Sequence, residues 1–205
     1  MPLAGRQVTI KPQSNLEGKA MQNAVEGRLI NPWRLIGWGG AVALLLAPLI
    51  AMRFTSEVVW TASDFIFAGI LFGLIGGAFE LAVWASRNRA YRAGAALALL
   101  GTFLTIWANL AVGIVGSEDN PATQLFFVAL LVGILMACVG RFRAKGMSIA
   151  ALVTAASLGL AFVIAVMQPR DEPFVPHIRE AFGTGVFAAL FLTSSALFRK
   201  AAREG

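Results

Sequence analysis

Long apolar stretches separated by short polar segments dominate the sequence. Six stretches are 18 to 24 residues long, and five of them contain no charged residue. The hydrocarbon core of a bilayer is about 30 Å thick and takes roughly 17 to 25 mostly apolar residues per helix. Because lipid cannot satisfy an exposed backbone, the pattern predicts an all-α, polytopic membrane bundle with six transmembrane helices. The predicted spans are 35–52, 65–86, 93–116, 122–140, 146–168 and 181–198.

Composition agrees with this pattern and excludes several classes of protein. The 205 residues are 58% hydrophobic and 14% charged, which is too apolar for a water-soluble globule. One Cys and one His exclude a disulfide framework, a Cys/His zinc cluster built by one chain and paired-His haem ligation. We therefore expect no cofactor and no bound metal.

The basic residues predict the orientation of the bundle. Of the 17 Lys and Arg residues, 14 lie on the side of the two termini. By the positive-inside rule, both termini are cytoplasmic. The basic residues lie in short juxtamembrane segments rather than on a folded basic face, so the net charge of +6 indicates contact with anionic lipid and no nucleic-acid partner. The residues on that side are Arg6, Lys11, Lys19, Arg28, Arg34, Arg87, Arg89, Arg92, Arg141, Arg143, Lys145, Arg199, Lys200 and Arg203.

Three regions follow along the chain. Residues 1–34 are predicted to be a cytoplasmic segment, partly disordered or lying on the membrane surface, residues 35–198 the six-helix domain, and residues 199–205 a basic cytoplasmic tail. The polar segment before the first span is too long for a usual signal peptide, so we expect the span to be retained. The excess of Arg over Lys favours a GC-rich bacterium and therefore the inner (plasma) membrane.

Glu80 is the one charged residue within a predicted span. At 3.6 residues per turn, the carboxyl group shares one helix face with a set of glycines that would let another helix approach closely. Glu80 is then expected to point into the bundle, either as a proton or cation site or as a neutral acid hydrogen-bonded to a neighbouring helix. The glycines of this predicted packing face are Gly69, Gly73, Gly76 and Gly77.

The third span carries a stripe of small and polar residues that includes Gly101, Thr102, Thr105 and Asn109, with Trp107 roughly opposite. Thr102 lies near the depth of Glu80 and is the predicted partner of its carboxyl group. Asn109 is expected to hydrogen-bond across helices, with a ligand site as the less favoured interpretation.

The short loop that follows this span is acidic. Glu118 and Asp119 offer few of the six to eight oxygens that calcium takes, so we interpret them as solvated residues that mark the outer side. Asn120, followed by a proline, is typical of a helix N-cap. No metal ligand set is predicted here.

The segment from Trp107 to Ala122, WANLAVGIVGSEDNPA, resembles the hallmark stretch of a family of small, uncharacterised multi-pass membrane proteins of bacteria. The resemblance runs from about Asp64 through the fifth span. It implies a bacterial membrane protein and carries no known activity, so no functional residue transfers. It also draws attention to Asn109, Glu118 and Asn120 as a group at the outer membrane edge.

Catalytic motifs for hydrolysis, zinc proteolysis or phosphate binding do not occur in the sequence. His177 is expected to be a solvated loop residue or interfacial contact, and Cys138 a small apolar filler. We therefore predict a protein without enzymatic activity that packs in the lipid bilayer with itself or as an accessory subunit of another membrane protein. The alternative is a small transporter or channel with Glu80 as its protonatable site.

Overall fold

The computed structural model describes residues 32–111, 113–115, 122–168 and 177–205. These residues form six α-helices and no strand. Short turns or segments outside the described residues join the helices. The helices are α1 (Pro32–Ala51), α2 (Ala62–Ala85), α3 (Arg89–Ala111), α4 (Thr123–Val139), α5 (Ala144–Met167) and α6 (His177–Glu204).

Five of the six helices are long and apolar enough to cross a membrane, which confirms the coarse prediction of a helical membrane protein. Helix α4 has 17 residues, which at 1.5 Å per residue gives about 25 Å. Helix α6 is 28 residues long and continues to Glu204, so the predicted basic tail is helical in all but its last residue. Its ends suit the helix dipole, because Glu180 lies in the first turn and Arg203 in the last.

The chain divides into two compact units, residues 1–68 and residues 69–205. In the first unit, the side chains of α1 are mostly exposed. Helix α2 begins at a capping arrangement in which the Thr61 amide and hydroxyl both donate to Asp64 Oδ2, at 2.7 and 2.8 Å. The ring of Trp60 packs edge-on against Phe65, with centroids 5.1 Å apart. These local contacts fix where the second apolar helix starts.

In the second unit, helices α3 to α6 run alternately up and down. Helix α5 packs along both α4 and α6, α6 packs along α3, and α3 and α4 touch much less. We call the end where α3 and α5 begin, marked by Arg89 and Ala144, the basic end. The opposite end, where α3 and α5 finish and α4 and α6 begin, is the His177 end.

The core of the second unit combines large side chains with small ones. Phe126, Leu158 and Phe198 are fully buried, and alanines occupy many of the positions around them. Gly133 of α4 lies against Thr154 of α5, so a side chain at Gly133 would collide with the threonine hydroxyl. Small residues at such contacts let helix backbones approach closely, as is common in membrane proteins.

The turn between α4 and α5 is tight. Arg141 and Phe142 both adopt the left-handed conformation, with φ of 51° and 53°. A Cβ atom at Gly146 would lie 2.5 Å from the Gly140 Cα atom, so the two backbones meet where only glycines fit. The Tyr91 hydroxyl donates to the Phe142 carbonyl at 2.7 Å and attaches this turn to α3.

Candidate functional site

Aromatic rings form the contact between α2 and α3 in the second unit. Phe72 of α2 stacks on Phe103, with centroids 5.3 Å apart, and lies 6.3 Å from the ring of Trp107. Nearer the basic end, the Arg92 guanidinium donates to the Ser86 and Val83 carbonyls. The Trp107 side of α3 therefore faces α2. The stripe of small and polar residues, which we expected to meet the helix of Glu80, faces another neighbour.

That neighbour is α6. A Cβ atom at Gly94 would lie 3.2 Å from the ring of Phe198, and one at Gly101 would lie 3.0 Å from the ring of Phe191. Gly101 of the stripe, and Gly94 seven residues before it, thus pack against two large rings of α6. The sequence could not distinguish α2 from α6 as the partner of this stripe, because both helices carry small residues and apolar side chains face lipid as well as the core.

Glu80 is half-buried, and Gly73 and Gly77 on its face are open. Among the described residues of the second unit, no atom comes within 4 Å of a Cβ position at Gly73 or Gly77. Gly69 and Gly76 are also half-exposed. Since 3.6 residues make a turn, Gly73 lies about 100° around α2 from Phe72, away from α3. Gly73 and Gly77 are therefore not used to pack against α3.

The contact that we expected between Glu80 and Thr102 stays a prediction. The Thr102 hydroxyl donates to the Ala98 carbonyl of its own helix at 2.9 Å. A threonine in a helix can bond the carbonyl four residues before it, so the Thr102 hydroxyl has a partner within α3.

Three serines form a buried polar layer towards the basic end, which we call the serine layer: Ser148, Ser194 and Ser195. The Ser148 hydroxyl donates to the Ser195 carbonyl at 3.0 Å, and the Ser195 hydroxyl donates to the Ser148 carbonyl at 2.8 Å. The Ser194 hydroxyl donates to the Gly94 carbonyl at 2.8 Å. The layer thereby joins α6 to both α5 and α3 with hydroxyl groups that all have partners.

A second set of buried polar residues lies at the His177 end, and we call it the His177-end cluster: Asn109, Thr123, Glu180 and Thr184. Asn109 is 2% exposed, Thr184 4% and Glu180 5%. The Asn109 side-chain amide donates to the Thr123 carbonyl at 3.0 Å, which joins α3 to the first residue of α4. The Glu180 carboxyl lies 3.3 Å from His177 Nδ1 within the first turn of α6.

Two oxygens of this cluster have no hydrogen-bond partner. Asn109 Oδ1 and Thr184 Oγ1 are the buried side-chain atoms without one in the part of the chain that the structure describes. Leaving a buried polar atom unsatisfied costs about 1–3 kcal/mol, so native structures rarely do so without a reason. The contrast with the serine layer makes this cluster the candidate functional site of the molecule.

Some of the predicted residues belong to segments that the structure does not describe. Glu118, Asp119 and Asn120 lie outside the described residues, as does nearly all of the 1–34 segment. The N-cap residue of α4 is Ala122, which has no side chain that could cap the helix by a hydrogen bond. His177 is the first residue of α6 rather than a loop residue, and Cys138 is exposed on the surface of α4 rather than filling the core.

Asn109 was predicted from the sequence, whereas Glu180 and Thr184 were not. Both are on α6, four residues apart and therefore on one helix face. The same face continues to Phe191 and Ser195, which are also buried. The helical spacing of Glu180, Thr184 and Phe191 could therefore have predicted from the sequence that these polar residues face the core.

The chemistry of the cluster is that of oxygen-bearing side chains. Across the described ranges, no group of three or more His, Cys, Asp or Glu side chains is placed to hold a metal ion. What it offers instead is a set of oxygens: an amide, a hydroxyl and a carboxyl group. These atoms can hydrogen-bond or coordinate a small polar species.

Comparison with known proteins gives no further guide. No protein-family model matches the chain, and neither a curated protein nor a solved structure matches it. The resemblance of the segment from Trp107 to Ala122 to a bacterial membrane family stays a prediction.

Proposed function

We propose that this protein is a non-enzymatic component of a bacterial inner membrane that works by associating with a second copy of itself. In this proposal, six helices cross the bilayer and both termini are cytoplasmic. The excess of basic residues on the side of the termini supports this orientation. The association is assigned to the glycine face of α2.

One observation carries the proposal: the Cβ positions of Gly73 and Gly77 are open, and the two glycines are four residues apart on a membrane helix. In lipid, apolar surface alone gives no reason for two helices to associate, because lipid tails are equally apolar. Small residues at this spacing allow the close backbone contact that does drive association. Gly69, a further four residues back, extends the same row.

The surroundings of the glycines fit a helix partner. Ile70 and Leu74, on the neighbouring positions, are 57% and 67% exposed. They form ridges on one side of the groove that the glycines create. An identical helix presents the same groove and ridges, so two copies of α2 can pack symmetrically about a two-fold axis. A second copy therefore supplies a complementary surface without any further partner.

The test is the oligomeric state of the purified protein. Wild-type protein in lipid nanodiscs or liposomes is expected to dimerise, as measured by native mass spectrometry and by energy transfer between labelled copies. Gly73→Leu and Gly77→Leu fill the groove and should each weaken dimerisation at least about tenfold, which corresponds to 1.4 kcal/mol. Gly159→Leu is the matched control, since Gly159 is equally open but has no glycine four residues away.

Two results would contradict the proposal. If the protein is a monomer at every protein-to-lipid ratio, it does not self-associate. If it forms a stable complex with a different membrane protein, it is an accessory subunit instead. Transport through Glu80 is the competing function: it requires proton or cation flux in proteoliposomes that Glu80→Gln abolishes. Self-association alone produces no such flux.

A further inference from the structure

The register of α3 against α6 brings the unsatisfied oxygens of the His177-end cluster to the same level of the bundle. Gly94 lies against Phe198, and Gly101, seven residues on, lies against Phe191, seven residues back. The two helices therefore run antiparallel and in step. Seven residues further along α3 and seven residues further back along α6, Ala108 is expected opposite Thr184. Asn109 and Thr184 therefore differ by about one residue in height along the bundle.

Packing around this level keeps the two helices together. Ala108 of α3 and both Phe187 and Ala188 of α6 pack against the same core cluster, which also includes Ile114 and Val115. Asn109 and Thr184 are each more than nine-tenths buried. Their unsatisfied oxygens consequently lie inside the protein, where water or lipid does not freely compensate them.

Glu180 adds a carboxyl group to these two oxygens. It precedes Thr184 by four residues, so the side chains are neighbours on one face of α6. Glu180 is as deeply buried as the other two residues. Its contact with His177 Nδ1 is 3.3 Å long. The three groups together present an amide oxygen, a hydroxyl oxygen and carboxylate oxygens.

We propose that the His177-end cluster binds a hard monovalent cation, of which Na⁺ is the test case, through Asn109 Oδ1, Thr184 Oγ1 and the Glu180 carboxylate. Oxygen ligands select hard cations. Calcium takes six to eight oxygens and usually several carboxylates, which this cluster does not offer, so a monovalent ion is the better match.

The proposal accounts for a feature that packing alone leaves unexplained. The Asn109 amide nitrogen already donates to the Thr123 carbonyl, which turns its Oδ1 atom away from that contact. A cation at this point satisfies Oδ1 and the Thr184 hydroxyl oxygen at once. It also links α3 to α6 at the His177 end of the bundle.

The experiment measures the unfolding of full-length protein in detergent or nanodiscs while NaCl replaces choline chloride at constant total chloride. Binding to the folded state predicts a saturable rise in stability that follows the logarithm of the Na⁺ concentration above the dissociation constant. Sodium-23 NMR line broadening reports the same binding without unfolding the protein. CaCl₂ at matched ionic strength tests the charge of the ion.

Thr184→Val removes one ligand oxygen while keeping the shape of the side chain, and should lower apparent Na⁺ affinity at least about tenfold. Thr184→Ser keeps the hydroxyl group and should retain most of the affinity. Thr193→Val, on the same helix, is the matched control because Thr193 is exposed and its hydroxyl already donates to the Ala189 carbonyl. It should bind Na⁺ as the wild type does.

Three outcomes would overturn the proposal. Equal stability and equal NMR line widths in Na⁺ and choline would mean that the cluster holds water only. Saturable stabilisation by Ca²⁺ without any by Na⁺ would contradict a monovalent ion. Na⁺ binding that survives both Thr184→Val and Glu180→Gln would place the ion elsewhere. None of these outcomes depends on whether α2 dimerises, so the two proposals can fail separately.

Discussion

The serine layer and the His177-end cluster are two buried polar regions of the same bundle, and they differ in how their polar atoms are satisfied. In the serine layer, each hydroxyl group donates to a backbone carbonyl of a neighbouring helix. In the His177-end cluster, two side-chain oxygens have no partner in the described structure. Satisfied polar groups hold helices in register, whereas unsatisfied ones at the same depth of burial indicate a place for something else to bind.

The largest expected effect comes from the tight helix contact beside the serine layer. Gly94→Leu drives a side chain into the ring of Phe198, which lies only 3.2 Å from the Cβ position. Phe198 is fully buried and has little room to move. We expect the free energy of unfolding to fall by about 3 kcal/mol, as for severe overpacking. Reversible unfolding in mixed detergent micelles measures it.

Gly159→Leu provides the control for that measurement, because its Cβ position is open. It should change the unfolding free energy by less than about 0.5 kcal/mol. If both substitutions had the same effect, α3 and α6 would not make the close contact described above.

A smaller effect is expected within the serine layer itself. Ser148→Ala and Ser195→Ala each remove one of two reciprocal hydrogen bonds and should each cost about 1 kcal/mol. The double variant should cost less than the sum, with a coupling of about 0.5 kcal/mol or more, because the first change already breaks part of the pair. Additive costs would show that the two serines stabilise the bundle independently.

The smallest effect is expected at the His177-end cluster when no Na⁺ is present. Thr184→Val replaces a hydroxyl group that has no partner by a methyl group of similar size. In choline chloride, the unfolding free energy should stay the same or rise by up to about 1 kcal/mol. A loss as large as that of Ser148→Ala would mean that Thr184 is satisfied like the serines and would remove the contrast between the two regions.

The positions of the helices could be predicted from the sequence. Length and hydropathy predicted every helix near its observed position, because a membrane helix needs a long apolar run and little else. The end of α6 was predicted too early, since the charges after Phe198 suggested a tail while they also fit a helix C-terminus.

The contacts between helices were harder to predict from the sequence. Asn109 was recognised as a residue that bonds across helices, but its neighbours Glu180 and Thr184 were not. The stripe on α3 was assigned to α2, whereas Gly101 of the stripe lies against Phe191 of α6. In a soluble bundle, polar faces would have revealed which side of each helix is buried. Here both sides are apolar, so only spacing between polar residues carries information about packing.

The tight turn between α4 and α5 has a consequence for how the chain enters the membrane. Only four residues separate the two helices, and the Gly140 and Gly146 backbones touch as soon as both helices exist. Contacts so close in sequence form early and quickly. We therefore expect α4 and α5 to insert into the bilayer together as a hairpin during synthesis. The longer α5 would then stabilise the inserted state of the shorter α4.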